Sequence, residues 1–407
     1  MGFSFVHAAD LHLDTPFVGL SHLPQMIREQ IQQSTFAALD QLVQLCLEEN
    51  VDFLIIAGDV YDCKERSLAA QLRFQQAMCQ LAERGIRVFV AHGNHDPLDG
   101  YRAQLNLPPA IHVFSGEQVE AIPVWRNGKE IARVYGMSYA TSRVTERLVR
   151  RFRRETAVPY ALGVLHTNVG GDPSHDNYAP CSLEELAQTG MDYWALGHIH
   201  RRQVLRERQP TIAYAGNTQG RHSRESGEKG CLLGRVNHAG ETTLTFRPLD
   251  VIRWVEHTVD AEANSTEQSL IDLLDDEIGG LKASNGNRSL IIRLRLRVGQ
   301  TLADQLGRHA FLQDILDRYR VEQTPFLWLQ QIDWEQQLVE EEDPFVVELL
   351  NQWSELSGDA ALREAWLQEA VAPLLNEHRL GSKWLANLRD EPIDWEREVE
   401  RLIRGNK

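Results

Sequence analysis

Over the first 100 residues, short apolar runs alternate with amphipathic stretches, a pattern that predicts strands joined by crossover helices. Residues 3–9, 51–57 and 86–92 have the β-branched and aromatic make-up of buried strands. Between them, residues 24–49 carry Leu39, Leu42, Val43 and Cys46 at helical spacing, and residues 65–84 carry Leu68, Leu72, Gln75 and Cys79. Further strands are expected at 131–136, 160–166, 193–196, 212–215 and 231–236. The fold class is therefore α/β.

The pattern changes near Asp250. Residues 288–298 alternate strictly, with Leu290, Ile292, Leu294, Leu296 and Val298 on one face and Ile291, Arg293, Arg295 and Arg297 on the other. With helical spacing over 267–282 and 310–319 and a strand at 325–329, this predicts a small α+β domain. From Pro344 onward the spacing is helical, and six of the nine tryptophans fall between Trp328 and Trp395, so this end has large side chains to bury. The expected division is 1–250, 251–342 and 343–407. A chain of 407 residues needs such a division, because single cores stop growing at roughly 250 to 300.

Composition narrows the class. An apolar fraction of 43% and a charged fraction of 25% are those of a globular chain and exclude a disordered or fibrous one. Mean hydropathy is −0.36, and no apolar run approaches the roughly 20 residues of a membrane helix, so no membrane association is expected. The amino terminus has neither the basic nor the apolar segment of a secretory leader, and Val6 stands where a myristoylation signal needs Ser or Thr. The five cysteines are scattered and form no C-x-x-C pair, against both a disulfide framework and a zinc ribbon. Cytoplasm is the expected compartment.

The net charge of −16 argues against a nucleic-acid partner until its distribution is considered. From Asp333 to Lys407, 18 acids face 8 bases, a net of −10, which leaves −6 for the first 332 residues. The front of the chain is nearly balanced.

Five segments carry chemistry, each directly after an expected strand, where open α/β sheets place ligands. They are Asp10-Leu11-His12, Gly58-Asp59-Val60-Tyr61-Asp62, Gly93-Asn94-His95-Asp96, His166, and Gly197-His198-Ile199-His200. Asp-x-His on an extended turn can direct a carboxylate and an imidazole at one ion, and His-x-His can do the same from another strand. Carboxylate, imidazole and amide donors without thiolates suit Mn²⁺, Fe²⁺ or Zn²⁺. Singly each motif is weak; five in order are not.

These segments, with AADLHLD, GDVYD, GNHDP, GHIHR and AYAGNTQGRHSRESGEKG as they stand here, resemble the calcineurin-like metallophosphoesterase superfamily over roughly residues 3–250. Within it they look like the bacterial DNA-repair exonuclease branch, SbcD and especially the YhaO type. The resemblance implies a four-layer α/β/β/α sandwich, followed here by the α+β capping domain and the helical C-terminal region, and a site for two divalent ions, usually Mn²⁺. One ion would take Asp10, His12, Asp59 and His200, and the other Asp59, Asn94, His166 and His198, with Asp59 bridging. Two ions about 3.5 to 4 Å apart lower the pKa of a shared water toward about 7, and the resulting hydroxide attacks phosphorus in line. His95 would stabilise charge or protonate the leaving oxygen, and Asp62 would accept a hydrogen bond from His95.

The resemblance also implies DNA as substrate and an SbcC-like coiled-coil ATPase as partner, docked through the helices after the capping domain; a homodimer is left open. Two basic features fit a polyanion: a helix carrying Arg143, Arg147, Arg150, Arg151, Arg153 and Arg154, and the strand face of Arg293, Arg295 and Arg297. Arg221, His222 and Arg224 are candidate phosphate contacts, whereas His7 and His92 lie within expected strands as core residues. Two other functions compete. One is a phosphomonoesterase or cyclic-nucleotide phosphodiesterase with the same chemistry, and the other a DNA-end-binding scaffold with weak nuclease activity.

Overall fold

The computed structural model describes residues 2–17, 23–63, 66–101, 103, 105–172, 176–262, 265–336 and 348. Met1–Gln336 form one compact unit and Gln337–Lys407 a second. The helices expected from Pro344 onward, with Trp353, Trp366, Trp384 and Trp395, lie outside the described residues. No helix among those described is long and apolar enough to cross a membrane.

Two six-stranded sheets face each other. The first is built from β1 (Phe3–Ala8), β2 (Phe53–Ala57), β3 (Arg87–Ala91), β4 (Ile111–Val113), β11 (Gly230–Val236) and β12 (Thr242–Pro248), in the order β12-β11-β1-β2-β3-β4. The second holds β5 (Glu120–Arg126), β6 (Lys129–Gly136), β7 (Ala161–His166), β8 (Tyr193–Gly197), β9 (Gln203–Arg206) and β10 (Thr211–Tyr214), in the order β5-β6-β7-β8-β10-β9. The central strands of each sheet run parallel. Their sequences read as continuous apolar runs because both faces are covered.

Alternation sorts the side chains. Phe3 and Phe5 of β1 and Phe53 and Ile55 of β2 point between the sheets, where they meet Val134, Leu162, Val164 and Tyr193. Val6, Leu54 and Ile56 point the other way, against Leu39, Leu42 and Cys46 of α1 (Gln25–Glu48) and Phe74, Met78 and Leu81 of α2 (Leu68–Glu83). The Ser67 hydroxyl accepts from Ala70 N at 3.1 Å and caps α2.

The α/β/β/α sandwich is completed by a thin fourth layer, the 3₁₀ turn Leu148–Arg151 and the short α3 (Leu183–Ala187), packed on Phe152, Trp194 and Leu196. Here one expectation fails: the arginine-rich stretch is not an α-helix, and only Leu148–Arg151 coil, as one 3₁₀ turn. Arginines three and four apart on a helix would repel; instead Arg147 and Arg150 both pair with Glu185, Arg151 with Glu146 and Arg154 with Asp192.

A third sheet follows Asp250, in the order β13-β14-β16-β15, from β13 (Ile252–Asp260), β14 (Ser289–Val298), β15 (Arg320–Val321) and β16 (Leu327–Gln336). Leu290, Ile292, Leu294 and Leu296 form one face, covered by α4 (Glu267–Ser284), α5 (Gln300–Leu306) and α6 (His309–Arg318). On the other face Trp254, Ile291, Phe326 and Trp328 pack against Ile27 and Ile31. The first half of α1 therefore serves the third sheet and the second half serves the first.

The Phe53 ring is fully buried and stacks on Phe5 at a centroid distance of 5.6 Å. Phe53→Ala is expected to cost about 3–5 kcal/mol, the range for a large-to-small change in a core that cannot collapse. A urea melt would show this as a lower midpoint at unchanged slope.

Candidate metal centre

The loops leaving β1, β2, β3, β7 and β8 converge at one end of the two sheets. They do so in unusual backbone: Asp10 (φ 51°), His12 (φ 44°), Asp59 (φ 49°) and His198 (φ 99°) are all left-handed. Such a conformation costs about 1–3 kcal/mol per non-glycine residue and persists only where neighbours enforce it. Asp10 N donates to Gly58 O at 3.1 Å, His12 N to Asp59 O at 3.0 Å and Leu13 N to Val60 O at 2.9 Å, so the first two loops hold each other. His198 N donates to Asp10 Oδ1 at 3.0 Å and joins the second sheet to the first.

Asp96 holds the third loop. Its fully buried carboxylate accepts from Val60 N at 2.8 Å, Gly93 N at 2.8 Å and His92 Nδ1 at 2.7 Å, which latches the Gly93–Asp96 turn onto the loop after β2. Gly93 admits no side chain, because a Cβ there would overlap Asp59 Oδ1 and the His166 ring.

The side chains gather in three overlapping sets, each with ligand atoms within 4.8 Å of one another: Asp10, His12 and His200; Asp10, Asp59 and His166; and, at the edge, His12, Asp62 and His95. In the first, His12 Nε2 lies 3.1 Å from His200 Nε2. Two such nitrogens face each other only across a shared proton or a cation. Burial, reinforced by the Arg221 guanidinium, pushes the His12 pKa down to about 3, so its imidazole is neutral as a ligand must be. In the second set, His166 Nδ1 donates to Ala57 O at 3.0 Å, and Nε2 faces Asp59 Oδ2 at 3.3 Å and Asn94 Oδ1 at 3.0 Å. That backbone bond fixes Nε2 as the ligating atom. Burial alone would lower the His166 pKa, but Asp59 and then Asp10 raise it to about 9. For Asp59, burial pushes upward and the His166 ring beside it prevails, holding the carboxyl well below the carboxylate range.

His198 sits with its ring centroid 5.1 Å from that of His166, and its Nε2 donates to Asp176 O at 2.7 Å, so ligation would fall to Nδ1. Six of the seven expected ligands thus face one another directly, and the seventh stands beside them. Carboxylates, imidazoles and one amide oxygen fit a pair of divalent first-row ions.

Around this core several expectations need correcting. The Asp62 carboxylate does not take the His95 ring, from which it lies 3.8 Å; His95 Nδ1 donates instead to the Asp62 backbone carbonyl at 2.9 Å. Asp62 Oδ1 lies 2.7 Å from His12 Nδ1 and 2.6 Å from Arg221, whose charge draws it away from His95. Arg221 is no exposed phosphate contact: its half-buried guanidinium joins Asp62 to Glu225, 3.2 Å away. His222 and Arg224 are exposed beside it. Arg293 reaches Ser223 Oγ at 3.1 Å, but Arg297 is paired with Glu335 and Asp260, and Arg295 stands in register with Asp333. Among these three arginines, Arg297 is the one with ion pairs to acids in the described residues.

His7 and His92 are core residues as expected, with His7 bonded to Tyr193 and Leu196 and His92 to Asp96. Sequence reading gave no role to Asp96 or to Glu225, which accepts from His200 Nδ1 at 2.7 Å. Burial would raise the Glu225 pKa, yet His200 and Arg221 hold it well below the usual range.

Residues 3–202 match the family model of the calcineurin-like phosphoesterases. The chain is 36% identical over 331 residues to the uncharacterized metallophosphoesterase YhaO of Bacillus subtilis (strain 168), with 81% of each chain covered. It is 23% identical over 248 residues to the SbcD subunit of nuclease SbcCD from the same organism, covering 52% of this chain and 60% of that one. It is 26% identical over 220 residues to the DNA double-strand break repair protein Mre11 of Thermoplasma acidophilum, covering 51% and 56%. The chain belongs to the calcineurin-like metallophosphoesterase family, whose members bind a dinuclear metal centre, and it is a phosphoesterase.

A metal ion can take His166 Nε2 only by displacing its proton. With the metal-free pKa raised to about 9, protons compete at neutral pH, so metal affinity should rise with pH up to about 9 and level off above it. Calorimetric titration at pH 7 in buffers of different ionisation enthalpy should report proton release, and at pH 10 the release from this group should vanish.

Proposed function

We propose that this chain is a metal-dependent nuclease of the DNA-repair exonuclease type, hydrolysing DNA phosphodiester bonds with two divalent ions, Mn²⁺ by preference. The observation that carries the reading is the convergence of Asp10, His12, Asp59, Asn94, His166 and His200 on one site with His95 at its rim. DNA as substrate is supported by similarity to Mre11 and to the SbcCD nuclease. A coiled-coil ATPase partner belongs to the same proposal, because that second relative is itself one subunit of a larger nuclease.

When bound, the two ions supply Lewis acidity toward phosphate oxygens and a nucleophile at neutral pH. The chain does the rest. Asp59 belongs to the second donor set, with Oδ2 3.3 Å from His166 Nε2, and also lies 3.9 Å from His12 Nε2 of the first, so it would bridge. His95 has its backbone N on Asp59 Oδ1 at 3.0 Å and its Nδ1 on the Asp62 carbonyl, while its side chain is 40% exposed. That leaves Nε2 to give a proton to the leaving oxygen. A second reading, phosphomonoester hydrolysis at the same site, is favoured by the ion pairs of Arg297 on β14, which weaken one expected track for a DNA backbone.

One assay separates the two: purified protein with Mn²⁺, labelled single- and double-stranded DNA, a p-nitrophenyl monoester and diester, and chelator controls. DNA cleavage is expected; turnover of the monoester with DNA untouched would install the second reading. Asp59→Asn should abolish hydrolysis of every substrate. His95→Ala should lower turnover by roughly 10²–10⁴ at unchanged metal stoichiometry, and loss of a metal equivalent would make His95 a ligand instead.

A further inference from the structure

The two imidazoles that face each other across the first donor set each have a carboxylate behind them, hydrogen-bonded for His200 and in ion-pair range for His12. His12 Nδ1 lies 2.7 Å from Asp62 Oδ1, and His200 Nδ1 lies 2.7 Å from Glu225 Oε1. The two carboxylates are joined by a single guanidinium, with Arg221 2.6 Å from Asp62 Oδ1 and 3.2 Å from Glu225 Oε1. Glu225 is buried and fixed on its other oxygen by Asn217 Nδ2 and Arg221 N, each at 2.8 Å. A carboxylate so tied has little freedom to leave His200.

We propose that Glu225 is a positioning residue for the metal centre, acting through His200, with Arg221 setting its distance from Asp62. The proposal rests on the dinuclear reading above and adds a residue outside the expected ligand set. A carboxylate at Nδ1 makes that nitrogen the proton carrier and turns the Nε2 lone pair toward the ion; such outer partners typically change metal affinity by 10–100-fold. Arg221 Nη2 also lies 3.2 Å from His200 Nδ1 and would favour the opposite tautomer. The shorter bond from His200 to Glu225 decides between them, because Arg221 cannot donate to a nitrogen that already carries a proton.

Asp62 stands behind His12 as a charge rather than as a hydrogen-bond acceptor, and Arg221 braces both carboxylates. The geometry predicts an asymmetric effect: removing the Glu225 charge should loosen the ion held by His12 and His200 and spare the one held by His166 and Asn94, whose ring is fixed independently by Ala57 O.

The test is a titration of metal-free protein with Mn²⁺ alone. Wild type should bind two equivalents, and Glu225→Gln, which keeps the size and one acceptor oxygen, should weaken one of them by about 10–100-fold and leave the other unchanged. Two unchanged equivalents in the variant overturn the proposal, as does an equal loss at both sites with a lowered melting temperature of the metal-free form, which would mark a merely structural role. A wild type that binds no Mn²⁺ would instead remove the dinuclear reading itself. A second measurement needs no variant: long-range ¹H–¹⁵N spectra of metal-free, histidine-labelled wild type should show a proton on His200 Nδ1, whatever proton its Nε2 shares with His12. A bare Nδ1 there overturns the proposal whether or not Glu225→Gln folds.

Discussion

The Asp59 carboxylate is the point on which both sheets close. It leaves β2 in left-handed backbone, accepts from His95 N of the neighbouring loop at 3.0 Å, and meets His166 of the opposite sheet at 3.3 Å. In a buried, low-dielectric setting an isolated carboxylate would take up a proton; the imidazolium across the sheet interface keeps this one ionised. The metal-free site is thus held by an ion pair whose cation a metal must neutralise and replace. This explains why the two sheets are pinned tightly at their loop ends, with Gly93 the sole residue type that fits beside the contact.

Four strained residues in three loops would add several kcal/mol of backbone energy if nothing opposed it. The opposition is local. Asp96 collects backbone N–H groups from two loops at once, and the Asp10 and Asp59 loops exchange main-chain bonds. A buried carboxylate accepting several N–H groups is strongly stabilised as the anion, so the turn that presents Asn94 and His95 is set before any ligand arrives. Rigidity is useful here, since donor atoms held within a few tenths of an ångström bind an ion without reorganisation.

The sheets and the donor segments were legible in the sequence because both follow local rules. Apolar runs of strand length end at Ala8, Ala57, Ala91, His166 and Gly197, and chemistry begins at or just after each. What was not legible lay in single residues with no spacing to mark them. Glu225 and Arg221 sit in a glycine-rich segment and act on partners 25 and 159 positions away, and Asp96 looks like the tail of a motif until its four partners are seen. The arginine-rich stretch misled for the converse reason. Charge density is visible in sequence, but the acids that neutralise it, Glu185 and Asp192, come from distant segments. Strands with half-polar alternation, such as β12, carry a weak signal because their outer residues are wet.

The third sheet bears on substrate size in a way that its sequence does not. An extra domain after the catalytic sandwich points to a polymer only if it has nothing else to do, and here it does have another task. Trp254 Nε1 donates to Gly220 O at 3.1 Å, Gln219 Nε2 to Ile252 O at 2.6 Å, and Arg293 to Ser223 Oγ at 3.1 Å. The starts of β13 and β14 therefore grip the segment that carries Arg221 and Glu225, while Lys229 at its far end reaches His200 O at 3.3 Å. Asp250, fully buried between Arg253 at 2.7 Å and Arg288 at 3.3 Å, locks the junction against rotation. The sheet is then a buttress for one wall of the metal centre, and its presence is accounted for whatever the length of the substrate.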